Sequence, residues 1–567
     1  MFLKFRLYTI LLFFCAPNSY GQNKLHLEFN SVDLHHFIKN PKLKFKDSLK
    51  ASKYIGNLRL SAVQKGYLLA SIDSAHYSKD KGVVYFHLGE KFKTLNLTLP
   101  EDHKRFIFKN TRYSEKLINK IPLTPFEYTS VLQKIQESFL NNGYPFVKIQ
   151  LAKTSFEQNS LNADLVIDTG PLLLWKKINI KGDSSISEKY LSNLLGIRTG
   201  QPYNEALTRT FSQKINAVPF VKETKPADFL YTKEGVEVFL YLESIKISAV
   251  NGIVGFQPDP ISDKFTVTGE LSLKLQNTLK HGELLDLKWQ SIRNQTQSLN
   301  TKLNYPFLFN TSFGIDGVFD LYKRDTSFLE LNSSIGVQYY LNKGNVLKVF
   351  FQNISSSVLS GGFNNPTYSN LGSVKSNNYG LSFISSRIDY IPNPSRGFGI
   401  EITGSAGNRT STSSDSLTIL KDLTYRGEVN TQFYFPLSQR HVLKLSNRSQ
   451  FYNAPNIFQN ELFRFGGLTN QRGFDEDELV STTKSSSIVE YRFLLDKNSH
   501  VFAFYDQTWY ENNSENYYND SPLGFGIGFS FSTNFGVFSI STALGKQFDN
   551  PILLRDSKVH FGYIVYF

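Results

Sequence analysis

Histidine, serine and paired acidic residues could carry catalytic chemistry in this chain, but their spacing supports none. The ten histidines are scattered, with neither His-Glu-x-x-His nor the ligand spacing of a zinc site. The sequence contains no Gly-x-Ser-x-Gly nucleophile elbow, and no pair of acids is typical of a glycosidase. We therefore expect no catalytic residue, no metal site, no cofactor and no enzymatic activity.

A glycine run at Gly524-x-Gly526-x-Gly528 superficially resembles a phosphate-binding loop. It opens no helix, however, and it lies in the segment 523–532, where Leu, Phe and Ile alternate with Gly and Ser. Side chains of a strand alternate between two faces, so this segment has one apolar face and one slim face. Slim residues on the inner face of a barrel strand explain the run better than a phosphate loop does.

Arg472 stands beside residues that suit a tight, enclosed position. Gly473 follows it and permits a sharply turned backbone, and Phe474 offers a ring that can wedge against a wall. An arginine enclosed inside a protein needs acceptors, because burying an unpaired charge is costly. Acidic residues on nearby strands would supply them.

Two acidic residues downstream are candidates for those acceptors. The neighbours of Glu490 alternate so that apolar and aromatic residues face outward, which turns Glu490 and Arg492 inward. Asp506 is expected to face inward as well, because a carboxylate facing lipid is disfavoured. Strict alternation then turns Phe502 and Phe504 inward too, which weakens the assignment of Asp506. The alternative is an exposed loop arginine with two unrelated acids.

The elements that carry these residues predict a membrane barrel. From residue 246 to the end, alternating strands are separated by turns rich in Asn, Ser, Gly and Asp. Counting them gives about sixteen strands, an even number in the range of outer-membrane barrels. The chain ends with Phe561, Tyr563, Val565 and Phe567 on one face, as in a strand that faces lipid. We predict a transmembrane antiparallel β-barrel over 246–567.

The preceding region predicts three small α/β domains of about seventy residues each. A helix, a Gly-Tyr turn and closing strands recur, with the turn at Gly66-Tyr67 and again at Gly143-Tyr144. In the third unit, one helix is predicted through Leu207, Phe211 and Ile215. The fold class is therefore mainly β, with α/β modules ahead of the barrel. The predicted units are 22–91, 92–172 and 173–245.

The first 21 residues resemble a secretory signal peptide. Lys4 and Arg6 precede a short apolar core at 7–14, and small residues at 19 and 21 suit cleavage. The core is too short to span a membrane as an anchor helix. The single cysteine, Cys15, follows a bulky residue, which disfavours a lipoprotein site there.

The net charge of +13 favours no nucleic-acid partner, because no basic cluster is interleaved with stacking aromatics. Positive charge could favour contact with anionic lipid headgroups or a polar lumen, or could simply lie on a solvated surface.

The tandem units and the barrel together resemble the BamA/TamA outer-membrane assembly superfamily, whose N-terminal modules are called POTRA domains. In layout the chain is most similar to TamA-type members. Besides the two Gly-Tyr turns, the resemblance rests on four motifs: Gly200–Asn204, Phe220-Val221, Asp389–Gly397 and Phe465–Phe474. The last motif resembles the Arg-Gly-Phe/Tyr tip of a long sixth extracellular loop that folds back into the lumen.

The resemblance implies two sites. One is a lock that holds this loop, in which Arg472 pairs with Asp506 and Glu490 beside Gly473 and Phe474. The other is a weak seam between the first and last barrel strands, which also carries an assembly signal. Its expected residues are Gly252, Gly255, Gly562, Val565 and Phe567. Alternatively, the glycines of the first strand only relieve curvature in a closed barrel.

The resemblance further implies an assembly or insertion factor in the bacterial outer membrane, with its POTRA domains in the periplasm. These domains would capture unfolded outer-membrane or secreted clients, and the seam would insert or translocate them. Expected partners are outer-membrane lipid, such clients, and a periplasmic or lipoprotein partner. The alternatives are a two-partner secretion pore with a dedicated substrate, and a passive porin or receptor.

Overall fold

The computed structural model forms two compact units, 1–172 with 202–205 and 173–201 with 206–567. The predicted signal segment 1–21 and the predicted seam residue Phe567 lie outside the described residues. The structure describes residues 25–31, 34–182, 186–258, 265–291, 296–341, 345–362, 370–390, 393–413, 418–468, 470–533 and 536–566.

The first unit contains two four-stranded sheets, each flanked by helices. Their strand orders are β2-β1-β4-β3 and β6-β5-β8-β7, and in each sheet the two central strands are parallel. The strands are β1 (Leu25–Asn30), β2 (Lys44–Phe45), β3 (Ser71–Tyr77), β4 (Lys81–His87), β5 (Thr94–Thr98), β6 (Ile121–Pro122), β7 (Lys148–Glu157) and β8 (Ser160–Asp168). The helices are α1 (Leu34–Phe37), α2 (Ser48–Gln64), α3 (Glu101–Thr111), α4 (Glu115–Ile118) and α5 (Pro125–Leu140).

Local chemistry explains the longest helix of the second sheet, α5. It begins at a proline, and the Thr124 side chain accepts a hydrogen bond from the Glu127 amide. Its apolar face buries Ile135 and Phe139 in the core. It ends before Gly143, whose φ of 99° is the left-handed conformation that glycine adopts without strain.

The second unit opens with a third α/β module, whose sheet has the order β10-β11-β9. The helix predicted through Leu207, Phe211 and Ile215 is broken into two short helices. The Thr210 hydroxyl donates to the carbonyl of Leu207 at 2.7 Å, which caps the first of them. The elements are β9 (Trp175–Gly182), α6 (Glu188–Leu195), α7 (Glu205–Thr208), α8 (Phe211–Asn216), β10 (Val221–Thr232) and β11 (Gly235–Ser244).

The rest of the second unit is an antiparallel barrel. Its strands are β12 (Ala249–Pro258), β13 (Phe265–Gln276), β14 (Leu284–Ser291), β15 (Gln297–Tyr305), β16 (Phe313–Arg324), β17 (Phe328–Tyr340), β18 (Val346–Val358), β19 (Gly372–Ile388), β20 (Gly397–Ser413), β21 (Ile419–Pro436), β22 (His441–Asn453), β25 (Thr483–Leu494), β26 (His500–Asn512), β27 (Tyr518–Asp520), β28 (Leu523–Thr533), β29 (Gly536–Lys546) and β30 (Lys558–Tyr566). Two further strands, β23 (Phe463–Phe465) and β24 (Leu479–Ser481), pair with each other and do not belong to the barrel wall. Single 3₁₀ turns lie at Leu308–Asn310, Gln459–Glu461 and Leu554–Asp556.

The wall contains sixteen strands within the described residues. β27 and β28 count as one, because both pair with β26 in the same register and are separated only by Ser521 and Pro522. The predicted fold class is confirmed: a barrel of sixteen strands follows small α/β modules. Within the described parts of the chain, no helix combines the length and the apolar character needed to cross a membrane.

The two faces of β28 separate apolar side chains from glycines. Ile527 and Phe529 point outward, with 62% and 43% of their surface exposed. Gly526 and Gly528 face inward, where the rings of the buried Phe502 and Phe504 lie against them. An outward apolar face and a slim inward face are those of a transmembrane barrel strand. These positions need glycine because aromatic rings of the neighbouring strand fill the lumen beside them.

We predict that Gly528→Ala destabilises the barrel whereas Gly404→Ala does not. A Cβ at Gly528 would lie 2.5 Å from the Phe502 ring and 2.7 Å from the Ile540 carbonyl oxygen, whereas one at Gly404 meets nothing within 4 Å. Overpacking of this kind costs about 1–3 kcal/mol. The difference is measured as the urea midpoint of unfolding of the detergent-solubilised protein. The folded fraction at each urea concentration is read from the mobility shift of the folded barrel on unheated gels. Equal midpoints for the two variants would contradict the packing role of Gly528.

Candidate functional site

The loop between β22 and β25, residues 454–482, folds into the barrel and is called here the lumen loop. Its first part is fixed by a buried ion pair between Glu461 and Arg409 of β20. The guanidinium donates to both oxygens of Glu461, from Nε at 2.8 Å and from Nη2 at 2.6 Å. Asn460 adds hydrogen bonds with the backbone of Gly372 and with the Ser356 hydroxyl. The loop is therefore held to the wall before its tip begins.

The tip of the lumen loop places Arg472 between two acids of the wall. Its Nε and Nη2 donate to the two oxygens of Asp506 at 2.8 and 2.6 Å, and its Nη1 donates to Glu490 at 2.8 Å. The Arg472 amide also donates to Asp506, at 3.0 Å. All three side chains are buried. The structure thus brings together the three charged residues that the sequence singled out, and they form the arginine lock.

Glycines let the backbone of the tip approach the wall. Gly473 has a φ of 92°, and a Cβ there would lie 2.8 Å from the Cα of Gly545 on β29. A Cβ at Gly524 would clash with the carbonyl oxygen of Arg472. Because both strands are bare at these points, Arg472 can reach Asp506 with its backbone as well as its side chain.

Aromatic rings enclose the tip. Phe474 is buried in a cluster with Phe465, Leu479 and Tyr510. The Arg472 guanidinium lies 3.5 Å from the centroid of the Phe504 ring. A cation over a ring face gains electrostatic energy, especially where water is excluded. Phe504 therefore shares the inward face with Asp506, and the conflict noted from the sequence disappears because the ring is itself part of the site.

A second arginine extends the lock toward the end of the barrel where the chain enters. Arg492 donates to the other oxygen of Glu490 at 2.8 Å and to the side-chain oxygen of Asn393 at 3.3 Å. Asn393 belongs to the turn between β19 and β20 and donates to the carbonyl of Lys497 at 3.2 Å. One buried chain of hydrogen bonds thus joins the lumen loop to two turns at that end.

Several of these residues were not singled out as site residues from the sequence. Inward parity on a strand marks Arg409 as a lumen residue, but no local signal connects it with Glu461, fifty-two positions away. Arg464 of the lumen loop likewise pairs with Glu330 of β17 at 2.8 Å. Such partners become visible only when the loop enters the lumen.

The seam between the first and last strands is short. Within the described residues, which end at Tyr566, β12 and β30 pair only at Ala249 with Tyr566 and at Val250 with Val565, whereas β12 pairs with β13 along its whole length. The seam therefore provides far fewer backbone hydrogen bonds than the neighbouring ladder.

The four predicted seam residues that the structure describes do not all lie in the β12–β30 ladder. Of these, Val565 takes part in the short ladder. Gly252 and Gly255 lie on β12 opposite Leu271 and Thr268 of β13. Gly562 lies on β30, where a Cβ would face Leu468 of the lumen loop at 3.6 Å.

Comparisons with known proteins agree with this architecture. Residues 174–220 match the family model POTRA, described as a surface antigen variable number repeat. CdiB from Escherichia coli matches with a TM-score of 0.54 and 14% identity over 90% of this chain and 96% of that one. CdiB from Acinetobacter baumannii gives 0.54 and 15% over 84% and 90%. The chain has the fold of these two CdiB structures.

Other comparisons add no argument beyond that fold. BamA from Haemophilus ducreyi lacking POTRA domains 1–3 aligns with a TM-score of 0.42 and 12% identity, over 84% of this chain and 99% of that one. No curated relative matches this sequence. Among the described residues, no group of three or more His, Cys, Asp or Glu side chains is arranged to hold a metal ion.

We predict that Asp506→Asn weakens the arginine lock more than Glu490→Gln does. Asp506 accepts three hydrogen bonds from Arg472 and Glu490 accepts one. Removing one partner of a buried charge pair costs about 3–5 kcal/mol. Because Glu490 also holds Arg492, each variant is combined with Arg472→Ala, and urea unfolding in detergent gives the two coupling energies. A larger coupling energy for Glu490 than for Asp506 would show that the main contact of Arg472 has been misassigned.

We predict that Asn393 is energetically coupled to Arg472 although the two residues do not touch. Arg492 and Glu490 connect them, so the destabilisation by Asn393→Ala and Arg472→Ala should be non-additive by about 0.5 kcal/mol or more. Tyr390→Phe is the matched control. Tyr390 lies in the same turn as Asn393, but its hydroxyl donates to Asn498 and makes no contact with Arg492. Additive effects in the Asn393 cycle would show that the chain of hydrogen bonds carries no coupling.

Proposed function

We propose that this protein is a non-enzymatic assembly factor of the bacterial outer membrane, with its POTRA domains in the periplasm. The domains capture unfolded outer-membrane or secreted clients, and the barrel inserts or translocates them at its seam. The single observation that carries the proposal is the short ladder between β12 and β30. An edge that is weakly paired can open and offer its backbone to the strand of a client.

The lumen loop supports an assembly role over that of a passive porin. A porin needs an open polar channel, whereas here the loop is pinned in the lumen by Arg472 at its tip and by Glu461 near its start. The same anchors hold the inner side of the wall together when the seam parts. The barrel can therefore open at one edge without losing the rest of its wall.

The α/β modules offer the edges that capture would use. β3 and β7 each lie at the edge of their sheet, so their outer backbone groups can pair with an added strand. Unfolded clients expose such strands before they enter a membrane. A periplasmic or lipoprotein partner could use the same edges, and outer-membrane lipid surrounds the barrel.

A disulfide across the seam tests the proposal. We expect Val250→Cys with Val565→Cys, in a Cys15→Ser background, to stop client insertion when oxidised and to recover it when reduced. These two positions are register partners in the β12–β30 ladder. The measurement is folding of a client barrel in liposomes that contain the protein, read from the gel shift of the folded client.

The control is a disulfide in a full ladder, Ser382→Cys with Thr403→Cys, where the native hydroxyls of β19 and β20 lie 2.9 Å apart. It should leave insertion unchanged. Insertion that persists through the closed seam would overturn the proposal. If cells with the closed seam lose no outer-membrane proteins but depletion of the protein blocks one secreted substrate, the secretion pore takes its place.

A further inference from the structure

A cavity of about 340 Å³ lies in the lumen beside the tip of the lumen loop. Its wall is formed by β19, β20, β21, β22 and β25, and Asn470 of the loop closes one side. Three cations line it: Lys444, Arg448 and Lys484. The arginine lock does not use the Lys484 side chain, and the proposed function gives the cavity no role.

The side chain of Lys484 indicates that the cavity binds a ligand. Only 2% of its surface is exposed, and its Nζ lies 4.7 Å from the centroid of the Phe465 ring. Within the described residues, its ammonium makes no hydrogen bond and no ion pair. A buried ammonium without an acceptor is unfavourable, and a ring face compensates only part of the lost hydration.

Two acids near the cavity pair with two of its three cations. Glu428 accepts from Arg448 Nε at 3.1 Å, and Glu490 is held by two arginines and lies 4.0 Å from Lys444 Nζ. Among the lining residues one carboxylate remains, that of Glu401 on β20. Arg448 and Lys444 therefore already face acids, and Lys484 is the lining cation that has no ion-pair partner among the described residues.

Neutral donors complete the lining. Asn430 and Gln432 contribute side-chain amides from β21, and Ser446 and Ser486 contribute hydroxyls from β22 and β25. Cations and neutral donors that face one cavity from several strands suit an anion with several acceptor oxygens. A carboxylate offers two oxygens on one side, whereas a phosphate offers oxygens in several directions.

We propose that this cavity binds a phosphate-class oxyanion, with Lys484 as its principal ligand and Arg448 and Lys444 as further cations. Free inorganic phosphate and the phosphodiester of a lipid headgroup share this chemistry. Binding would neutralise Lys484, which is packed against Phe465 of the lumen loop, and would therefore stabilise the loop in the lumen. The proposal does not depend on the assembly role.

The test uses the full chain in detergent, with binding of inorganic phosphate measured by titration calorimetry against chloride at equal ionic strength. We expect a single saturable site in the native protein. Lys484→Met should weaken the affinity by roughly tenfold or more, because it removes a charge-assisted hydrogen bond. Lys375→Met, at an exposed lysine of β19 outside the cavity, should bind as the native protein does.

Two further measurements test the role of Lys484 and the source of the anion. Without phosphate, Lys484→Met should raise the unfolding midpoint, because it removes a buried charge that lacks an acceptor; with phosphate, the native protein should regain the difference. Glycerophosphoglycerol, a soluble diester, separates the sources: a heat comparable to that of phosphate indicates a headgroup, and none indicates the free ion. No saturable phosphate binding, or equal binding by native protein and Lys484→Met, would overturn the proposal.

Discussion

The buried positive charge of Arg472 is the constraint on which the barrel interior depends. A guanidinium inside a lumen must meet acceptors on several sides, because its hydration is lost and each unmatched donor is costly. The acceptors are Asp506 and Glu490, which lie on the adjacent strands β26 and β25. One side chain from the loop therefore fixes the loop, two wall strands and, through Arg492, a turn at the end where the chain enters.

Sterics and electrostatics are inseparable at this point. The charges meet only because Gly473, Gly524 and Gly545 let two backbones approach to a distance that any Cβ would forbid. The aromatic residues follow from the same arrangement. Phe504 lies beneath the guanidinium, and its ring fills the space beside Gly526 on β28. The glycines at 524, 526 and 528, which resemble a phosphate loop in the sequence, form the surface against which Arg472 and the neighbouring aromatic rings pack.

The wall is stabilised unequally around its circumference. Full ladders join the strands from β17 to β26, and the lumen loop pairs with three of them through Glu330, Arg409 and Asp506. The loop also pairs with the last strand, because Lys558 of β30 lies 2.9 Å from Asp475. At the seam, two register pairs of described residues close the circle. The charge of Lys484 remains without an ion-pair partner among the described residues of the lumen, and an anion beside it would complete the balance of charge.

The sequence by itself determined the barrel, its strand number, the α/β modules and the three charges at the loop tip. Alternation with a period of two is a local property, and lipid imposes it on every strand, so it can be read without any contact. Only the tertiary structure decided the partners Arg409–Glu461, Arg464–Glu330 and Arg492–Asn393. These residues are brought together by the register of the barrel and by the path of one loop, which join positions up to 134 residues apart. The break in the helix at Thr210 also escaped the sequence, because it depends on capping rather than on periodicity.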